Sequence, residues 1–228
     1  MFIPKYIYLI TIAGCLFGNN CKHKETVRSV LPITSNLSFT TNPANNWQVG
    51  YSLGDTLDPA QFQLCTFVDT SNNLIGLWHP AAGSGGYYPY TGQNRDSISR
   101  TDKTNSWALR PHEIAMEGSN SGQYSMLRFV APASGKYHIK VIFEGVHFRL
   151  STTDVHILLN SRHLFDDIID GYGGDSTFHA ITGSHPSAFY EESLSLGKND
   201  ILTFAVGYGA NKSFYNDTTG LLIVIEMV

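Results

Sequence analysis

Cysteine is scarce in this chain, with three among 228 residues, and only Cys65 lies beyond the first 21 positions. This count excludes a disulfide framework, so the fold must be stabilised by an apolar core. Cys65 sits in an alternating run and is expected to be a buried, inert thiol. Basic residues are also few, 15 against 19 acidic ones. We therefore expect no nucleic-acid partner, because such proteins present a basic face to the phosphate backbone.

Long apolar runs are missing too, apart from one at the N-terminus. There Lys5 precedes an apolar stretch that ends near Phe17, which is typical of an export signal and too short for a membrane-spanning helix. Residues 1–21 are therefore predicted to be a signal. Removing them takes away one positive charge, so the formal charge goes from −4 to −5. About 207 residues remain, the size of one β-sandwich domain.

Two cysteines at the end of this signal compete as the point of lipidation. Cys15 follows Ile12-Ala13-Gly14, which resembles a bacterial lipobox, whereas Cys21 has the longer apolar core before it and polar residues directly after it. A plain secretory signal without lipid is the third interpretation. We expect an exported protein, lipid-anchored to the bacterial cell envelope at the outer membrane or cell surface. A polar linker at 22–35 would then carry a single domain at 36–228.

Short β-type runs separated by Gly, Asn, Asp and Pro follow this linker. Alternation is clearest at Tyr137, Ile139, Val141 and Phe143, which share one face of a strand. No segment sustains a helical period for three turns. The pattern predicts an all-β, two-sheet antiparallel sandwich, most simply a jelly roll. Strands are predicted at 37–41, 47–52, 62–68, 74–78, 124–130, 137–144, 154–159, 189–196, 201–206 and 221–227. Between them, 83–105 is expected to be a long structureless insertion and 166–175 an acidic, glycine-rich loop.

Several motifs in this order resemble the galactose-binding-type jelly rolls that serve as carbohydrate-binding modules. They are NPANNW leading to GY at 42–51, LRFVAP leading to Gly135 at 127–135, TDVHILLN at 153–160, FAVGYGAN at 204–211 and DTTGL at 217–221. The resemblance covers most of residues 37–228 and implies a glycan-binding accessory domain. One departure is Met116-Glu117-Gly118, where such domains often have His-Pro-Gly. Trp47, at the start of an alternating run, is expected in the core.

Catalytic motifs are not evident. His112-Glu113 lacks the second histidine of a zinc-protease helix, because Met116 stands there. Asp154 and His156 share one strand face, while Val155 and Ile157 point into the core. Such a pair could ligate a metal or relay a proton, but a solvated sheet face is the simpler interpretation. We therefore expect a protein that is not an enzyme.

Sugar binding requires flat aromatic side chains for the C–H face of a pyranose and polar side chains for its hydroxyls. One loop region offers both, and prolines beside its aromatics would limit the entropy lost on binding. The alternative is that these rings pack onto the sheet. The predicted ligand-binding residues are Trp78, Tyr87, Tyr88, Tyr90, Asn94, Arg95 and Trp107. A second candidate rim consists of Tyr208, Asn211, Tyr215, Asn216 and Asp217.

The acidic segment 166–175 raises the question of calcium. Asp166, Asp167, Asp170 and Asp175 could offer hard oxygen ligands for a structural Ca²⁺. Ile168 stands where an EF-hand needs its third-position ligand, and a plain acidic turn is the alternative.

Three functions remain open from the sequence. The first is glycan binding or adhesion at the cell surface, with a glycan or envelope component as partner. The second is a structural or protein-binding role in the envelope, which predicts a flat apolar patch. The third is a jelly-roll glycan lyase or hydrolase, which predicts a cleft with paired carboxylates or a Tyr/His/Arg cluster. The oligomeric state is not indicated.

Overall fold

A computed structural model describes residues 30–32, 37–71, 75–80, 87–103, 106–176 and 183–228. Within these ranges the regular structure is β-strand, with one turn of 3-10 helix at Pro59–Gln61. The strands are β1 (Val30–Pro32), β2 (Trp47–Ser52), β3 (Phe62–Leu64), β4 (Phe67–Asp69), β5 (Ile75–His79), β6 (Tyr90–Asn94), β7 (Arg100–Asp102), β8 (Trp107–Leu109), β9 (Ile114–Glu117), β10 (Ser125–Val130), β11 (Gly135–Gly145), β12 (Thr152–Leu159), β13 (Arg162–Asp170), β14 (Ser187–Leu196), β15 (Ile201–Val206) and β16 (Thr219–Met227).

Two large sheets face each other. The larger has the order β14-β11-β16-β9-β6-β5-β4, with β1 beside the far half of β16, and the smaller has the order β13-β12-β15-β10-β2-β3. The pairings are antiparallel throughout both sheets. Between β10 and β16 the chain passes from one sheet to the other at every connection except the β12–β13 hairpin. The predicted two-sheet antiparallel sandwich is confirmed.

The core lies between the sheets and comes from alternate positions of their strands. Tyr137, Ile139, Val141 and Phe143 are buried on the inner face of β11, as their alternation predicted. Trp47 is 4% exposed, with its ring centroid 4.9 Å from that of Phe129, so its predicted core position is confirmed. Cys65 is buried as predicted, and burial raises the pKa of its thiol to about 12.

Some predicted elements differ from the structure. Residues 37–41 are not a strand, and 62–68 is divided into β3 and β4. The stretch 83–105 was expected to be structureless, but its described part contains β6 and β7. Strands β8, β9 and β13 were not predicted. In β8 and β9 every residue is buried, so neither strand shows polar alternation.

The expected acidic loop is mostly strand. Asp166, Asp167 and Asp170 lie on β13, which pairs along its length with β12. Only Asp175 follows in a turn. Successive residues of a strand point to opposite faces, so Asp167 lies on the other face of the sheet from Asp166, and these aspartates do not surround one point.

The N-terminal predictions lie largely outside the described residues. Cys15 and Cys21 are not among the described residues, so the signal and its lipidation remain predictions. Within the predicted linker, Val30–Pro32 pairs with Val224, Ile225 and Glu226 of β16. No helix in the described part of the chain is long and apolar enough to cross a membrane.

Candidate functional site

A second, smaller apolar cluster lies on the outer face of the larger sheet. Leu77 pairs with Gly92, and Gly92 pairs with Ala115, so the three positions form a row across β5, β6 and β9. Their neighbours Trp78, Thr91 and Met116 point to the sandwich core, which places this row on the opposite face. A Cβ atom at Gly92 would lie 2.4 Å from Leu77 Cδ2, so the glycine makes room for Leu77 to lie over β6.

The hairpin of β7 and β8 covers one end of this face. It is attached to the residues after β11 by two backbone hydrogen bonds, from Ala108 N–H to Val146 O (3.0 Å) and from Phe148 N–H to Ser106 O (2.6 Å). Trp107 and Leu109 of β8 are buried against Ile75 and Ala115. This end of the face is therefore covered by the hairpin.

Between this hairpin and the chain leading into β16 lies a cavity of about 690 Å³. Strands β5, β6 and β9 provide its floor, and residues of 147–149 and 214–218 contribute to its wall. Its lining residues are Ile75, Leu77, Tyr87, Tyr88, Tyr90, Asp102, Ser106, Trp107, Leu109, Ala115, Glu117, His147, Arg149, Phe214, Tyr215, Asn216 and Thr218. A cavity of this size falls in the range of small-molecule sites.

Aromatic side chains from two distant segments meet at this cavity. The Tyr88 and Phe214 rings contact each other edge to face at 4.9 Å between centroids, and Phe214 lies 4.5 Å from Tyr215. Tyr215 is 71% exposed, so its ring is available to a ligand. Tyr87 stacks on His79 at 4.8 Å and donates its hydroxyl to Asp69 Oδ2 at 3.0 Å. These contacts hold the aromatic rim in place.

Glu117 is the main polar group of the floor. Its Oε2 accepts hydrogen bonds from the Tyr90 hydroxyl (2.9 Å) and the Thr218 hydroxyl (2.6 Å). The side chain is buried, and that burial is the largest cause raising its pKa to about 8, with the Asp217 charge adding to it. The same desolvation raises the pKa of Tyr90 well above its usual range. At neutral pH the floor thus carries a neutral carboxylic acid and a neutral phenol.

Asp217 was predicted to belong to the second candidate rim, but it is fully buried. Its Oδ1 accepts the Thr152 N–H at 2.8 Å, while Oδ2 has no hydrogen-bond partner in the described residues. Burial raises its pKa to about 7. Asp217 therefore anchors the start of β12.

A buried carboxyl pair occupies the same sheet face beyond the cavity. Arg110 donates its backbone N–H to Glu113 Oε2 at 2.6 Å and its Nε–H to Glu144 Oε1 at 2.7 Å. Glu113 is fully buried, and desolvation followed by the nearby Glu144 charge raises its pKa well above the usual range. A Cβ atom at Gly220 would lie 2.2 Å from Glu113 Oε1, so the pair is enclosed by protein.

The cavity brings together four of the seven predicted ligand-binding residues: Tyr87, Tyr88, Tyr90 and Trp107. It adds Tyr215 and Asn216 from the second candidate rim. The two regions were separate candidates in the sequence, more than a hundred residues apart. They meet because the chain before β16 crosses the outer face of the sheet.

The other three predicted residues lie elsewhere. Trp78 is buried in the core, where its Nε1–H donates to Ser38 O at 2.7 Å. Asn94 is fully buried and donates its side-chain amide to Ile98 O (2.9 Å) and Arg110 O (2.7 Å), so it ties the hairpin to the sheet. Arg95 is exposed but lies over the Phe39 ring at 5.9 Å. For these three the structure corrects the expected placement.

Several residues of the cavity were not predicted from the sequence, among them Glu117, His147, Arg149, Phe214 and Thr218. Glu117 did give a signal, since it stands in the Met116-Glu117-Gly118 departure from the family pattern. His147 and Arg149 follow β11 without a motif, and nothing in the sequence indicates the Ala108–Val146 hydrogen bond that brings the hairpin to them.

The four aspartates predicted for calcium have four different sets of partners. Asp166 contacts two histidines, described below, and Asp167 lies 3.3 Å from His185 Nε2. Asp170 accepts hydrogen bonds from Ser184, and Asp175 accepts the Ser99 hydroxyl at 2.9 Å. The structure does not gather the set into a single oxygen cage.

Comparisons with known proteins show likeness in architecture only. No protein-family model and no curated protein matches the sequence. The K3 cleaved adhesin domain of Lys-gingipain from Porphyromonas gingivalis is 13% identical, with 85% of this chain and 98% of that chain covered and a TM-score of 0.32. A family 35 carbohydrate-binding module from Clostridium thermocellum is 11% identical, with 56% and 85% covered and a TM-score of 0.28.

A β-glucosidase from Kluyveromyces marxianus is 17% identical over 55% of this chain, with a TM-score of 0.27. The chain spans only 12% of that enzyme's length. Carbohydrate-binding and adhesin domains are thus among the structures that this chain resembles. At this level of likeness, none of their activities transfers to it.

Proposed function

We propose that the protein is a non-catalytic glycan-binding module and that the cavity on the outer face of the larger sheet is its binding site. The observation that carries the proposal is the convergence of Tyr88, Phe214 and Tyr215 at a cavity with a polar floor. Exposed rings offer stacking surfaces for the C–H face of a pyranose. The floor and wall offer hydroxyl, carboxyl, imidazole and guanidinium groups for its hydroxyls.

The chemistry of the floor favours a neutral sugar. Because the pKa of Glu117 is about 8, its carboxyl is protonated at neutral pH and both donates and accepts hydrogen bonds. The Thr218 hydroxyl adds a further group of the same kind. Arg149 is exposed at the wall and supplies a positive charge at the rim rather than in the floor.

The module would act at the bacterial cell surface. The export signal and the lipidation of Cys15 or Cys21 are part of this proposal, and they rest on the sequence alone. Labelling with radioactive palmitate in an expressing bacterium, with Cys15→Ser and Cys21→Ser compared, would identify the acylated residue.

A glycan-array screen of the purified protein, with and without Ca²⁺, tests the binding proposal. Tyr215→Ala and Tyr88→Ala should each weaken binding by roughly tenfold, about 1.4 kcal/mol, because each removes a stacking surface. Phe189→Ala is the matched control: it removes an aromatic ring that is 58% exposed on β14, three strands from β9. A silent array from folded protein would contradict the proposal and favour a protein partner in the envelope.

Glycan cleavage is the second candidate, and the acid in the floor is the observation that favours it. A carboxyl that is still protonated at neutral pH can act as a general acid, and Tyr88, His147 and Arg149 line the same cavity. Release of reducing ends from the glycans that bind would establish this function. Binding without any release would leave the module non-catalytic.

A further inference from the structure

The outer face of the smaller sheet carries a group of metal-ligand donors away from the cavity. His156 on β12 lies directly opposite Asp166 on β13, and His163 lies three residues before Asp166. The Nδ1 atoms of His156 and His163 lie 2.5 Å and 2.7 Å from the same Asp166 Oδ1. All three donor atoms lie within 4.8 Å of one another.

An irregularity in β13 places His163 in this group. In a regular strand, residues three apart point to opposite faces, so His163 and Asp166 would be separated. Here Ile157 pairs with Phe165 but the next residue, Leu158, pairs with His163, so Leu164 is skipped. This one-residue bulge turns His163 to the face of Asp166. Bulges of this kind often redirect a side chain at a functional site.

The two ring nitrogens of His156 both face carboxylate oxygens. Nδ1 faces Asp166, and Nε2 lies 2.8 Å from Asp154 Oδ2. A protonated imidazole donates an N–H to each of these oxygens, whereas a neutral imidazole donates to only one of them. A divalent cation would take the place of the proton between Nδ1 and Asp166 Oδ1 and bind both atoms.

Asp154 is held where a metal-bound histidine needs its second partner. Its Oδ1 accepts the Gly209 N–H at 2.7 Å, and its Oδ2 accepts the Tyr124 hydroxyl at 2.8 Å. With Asp154 fixed to accept the Nε2–H of His156, Nδ1 is the ring nitrogen that a cation would bind. A carboxylate that orients a ligating histidine in this way is the usual outer shell of a protein metal site.

We propose that His156, His163 and Asp166 bind a divalent transition-metal ion of the Zn²⁺ type through Nδ1, Nδ1 and a carboxylate oxygen. Two imidazoles and one carboxylate suit zinc rather than calcium, which takes six to eight oxygens. The side chains of His163 and Asp166 are 46% and 51% exposed, so the ion has a path from solvent and water can complete its coordination. The site replaces the predicted calcium cluster and shares only Asp166 with it.

Zinc titration of the untagged, chelator-stripped full chain against a chromogenic zinc indicator tests this proposal. One equivalent should bind at pH 7.5, and excess Ca²⁺ should not displace it. His163→Ala and Asp166→Asn should each weaken binding by roughly tenfold or more, and Asp154→Asn by roughly tenfold to a hundredfold through the orientation of His156. Co²⁺ should give the visible absorption bands of a low-coordinate site.

His138→Ala is the matched control. His138 Nε2 also lies 3.0 Å from a carboxylate, Glu191 Oε1, but no second histidine among the described residues joins that pair. Zinc affinity should therefore be unchanged in this variant. Absence of zinc binding, or equal binding by the wild type and His163→Ala, would overturn the proposal. If a variant fails to fold, zinc-induced shifts of the wild-type His156 and His163 ring resonances decide the question, and their absence would also overturn it.

Discussion

Glu117→Gln should change how the stability of the protein depends on pH. In the folded protein Glu117 is buried against Tyr90 and Thr218, and its pKa is about 8 against a usual value of 4.5. Between these two values the folded state holds a proton that the unfolded state has released. The free energy of unfolding therefore falls as pH rises through this window, and the contribution is complete only below about pH 4.5.

The magnitude follows from the size of the shift. The pKa is raised by roughly 3.5 units, and one unit corresponds to 1.36 kcal/mol, so ionisation of Glu117 costs about 5 kcal/mol of stability by high pH. Glutamine has nearly the same shape, can accept the same two hydrogen bonds and does not titrate. As pH rises from about 5.5 to 7.5, the free energy of unfolding of the variant should increase relative to that of the wild type by about 1.4 kcal/mol per pH unit.

Urea unfolding of both proteins at five pH values from 4.5 to 9 measures this difference. Other buried carboxyls, Glu113 and Asp217 among them, also make stability depend on pH. They are present in both proteins, so the difference between the two curves reports on Glu117 together with its coupling to the Asp217 charge. Parallel curves would refute the reasoning, since they would mean that Glu117 is already ionised in the folded state or reaches water. If the stability advantage of the variant instead grew as the pH fell, the predicted sign of the pH dependence would be wrong.

Two further variants test residues that the structure places away from the ligand. Trp78→Phe should lower the free energy of unfolding by about 2–3 kcal/mol, because it leaves Ser38 O without its donor and opens space in the core, while glycan affinity stays the same. Weaker glycan binding without loss of stability would contradict the core role of Trp78. Asn94→Ala should cost about 1–3 kcal/mol and speed hydrogen exchange of the Ala108 amide, since the side-chain amide ties the β7–β8 hairpin to the sheet. Unchanged exchange at Ala108 would mean that the hairpin is held by other contacts.

The fold was predictable where one face of a strand is buried and the other is exposed. The inner positions of β11 alternate with polar residues, and its burial follows that alternation. In β9 the residues Ile114 and Met116 face the core while Ala115 and Glu117 face the cavity, so all four are buried and the period of two disappears. Strands that are buried on both faces are therefore difficult to predict from the sequence.

The candidate site was predictable by residue type more than by position. The loop aromatics Tyr87, Tyr88 and Tyr90 were singled out by residue type and line the cavity, but nothing local distinguishes Trp78 from them. Trp78 belongs to the core because it lies one position along β5 from the outward-facing Leu77 and therefore points to the inner face. Long-range contacts, such as that of Phe214 with Tyr88, depend on the path of the chain over the sheet and leave no local pattern.

The proposed metal site of His156, His163 and Asp166 was also only partly predictable from the sequence. Asp154 and His156 were expected on one face, and their 2.8 Å contact confirms it. The composition of β13 favours a loop, so the sequence does not indicate its register with β12. The sequence also does not indicate the β-bulge at Leu164, although this bulge determines which face of the sheet carries His163.

Strands β5, β6 and β9 serve as the floor of the cavity on one side and as a wall of the hydrophobic core on the other. The packing that keeps the protein folded therefore lies directly beneath the place where a ligand would rest. A bound ligand would therefore stabilise the whole sandwich against unfolding. At a ligand concentration of a hundred times the dissociation constant, the free energy of unfolding would rise by about 2.7 kcal/mol. Melting temperature thus becomes a direct way to search for the ligand among unlabelled compounds of any chemical class.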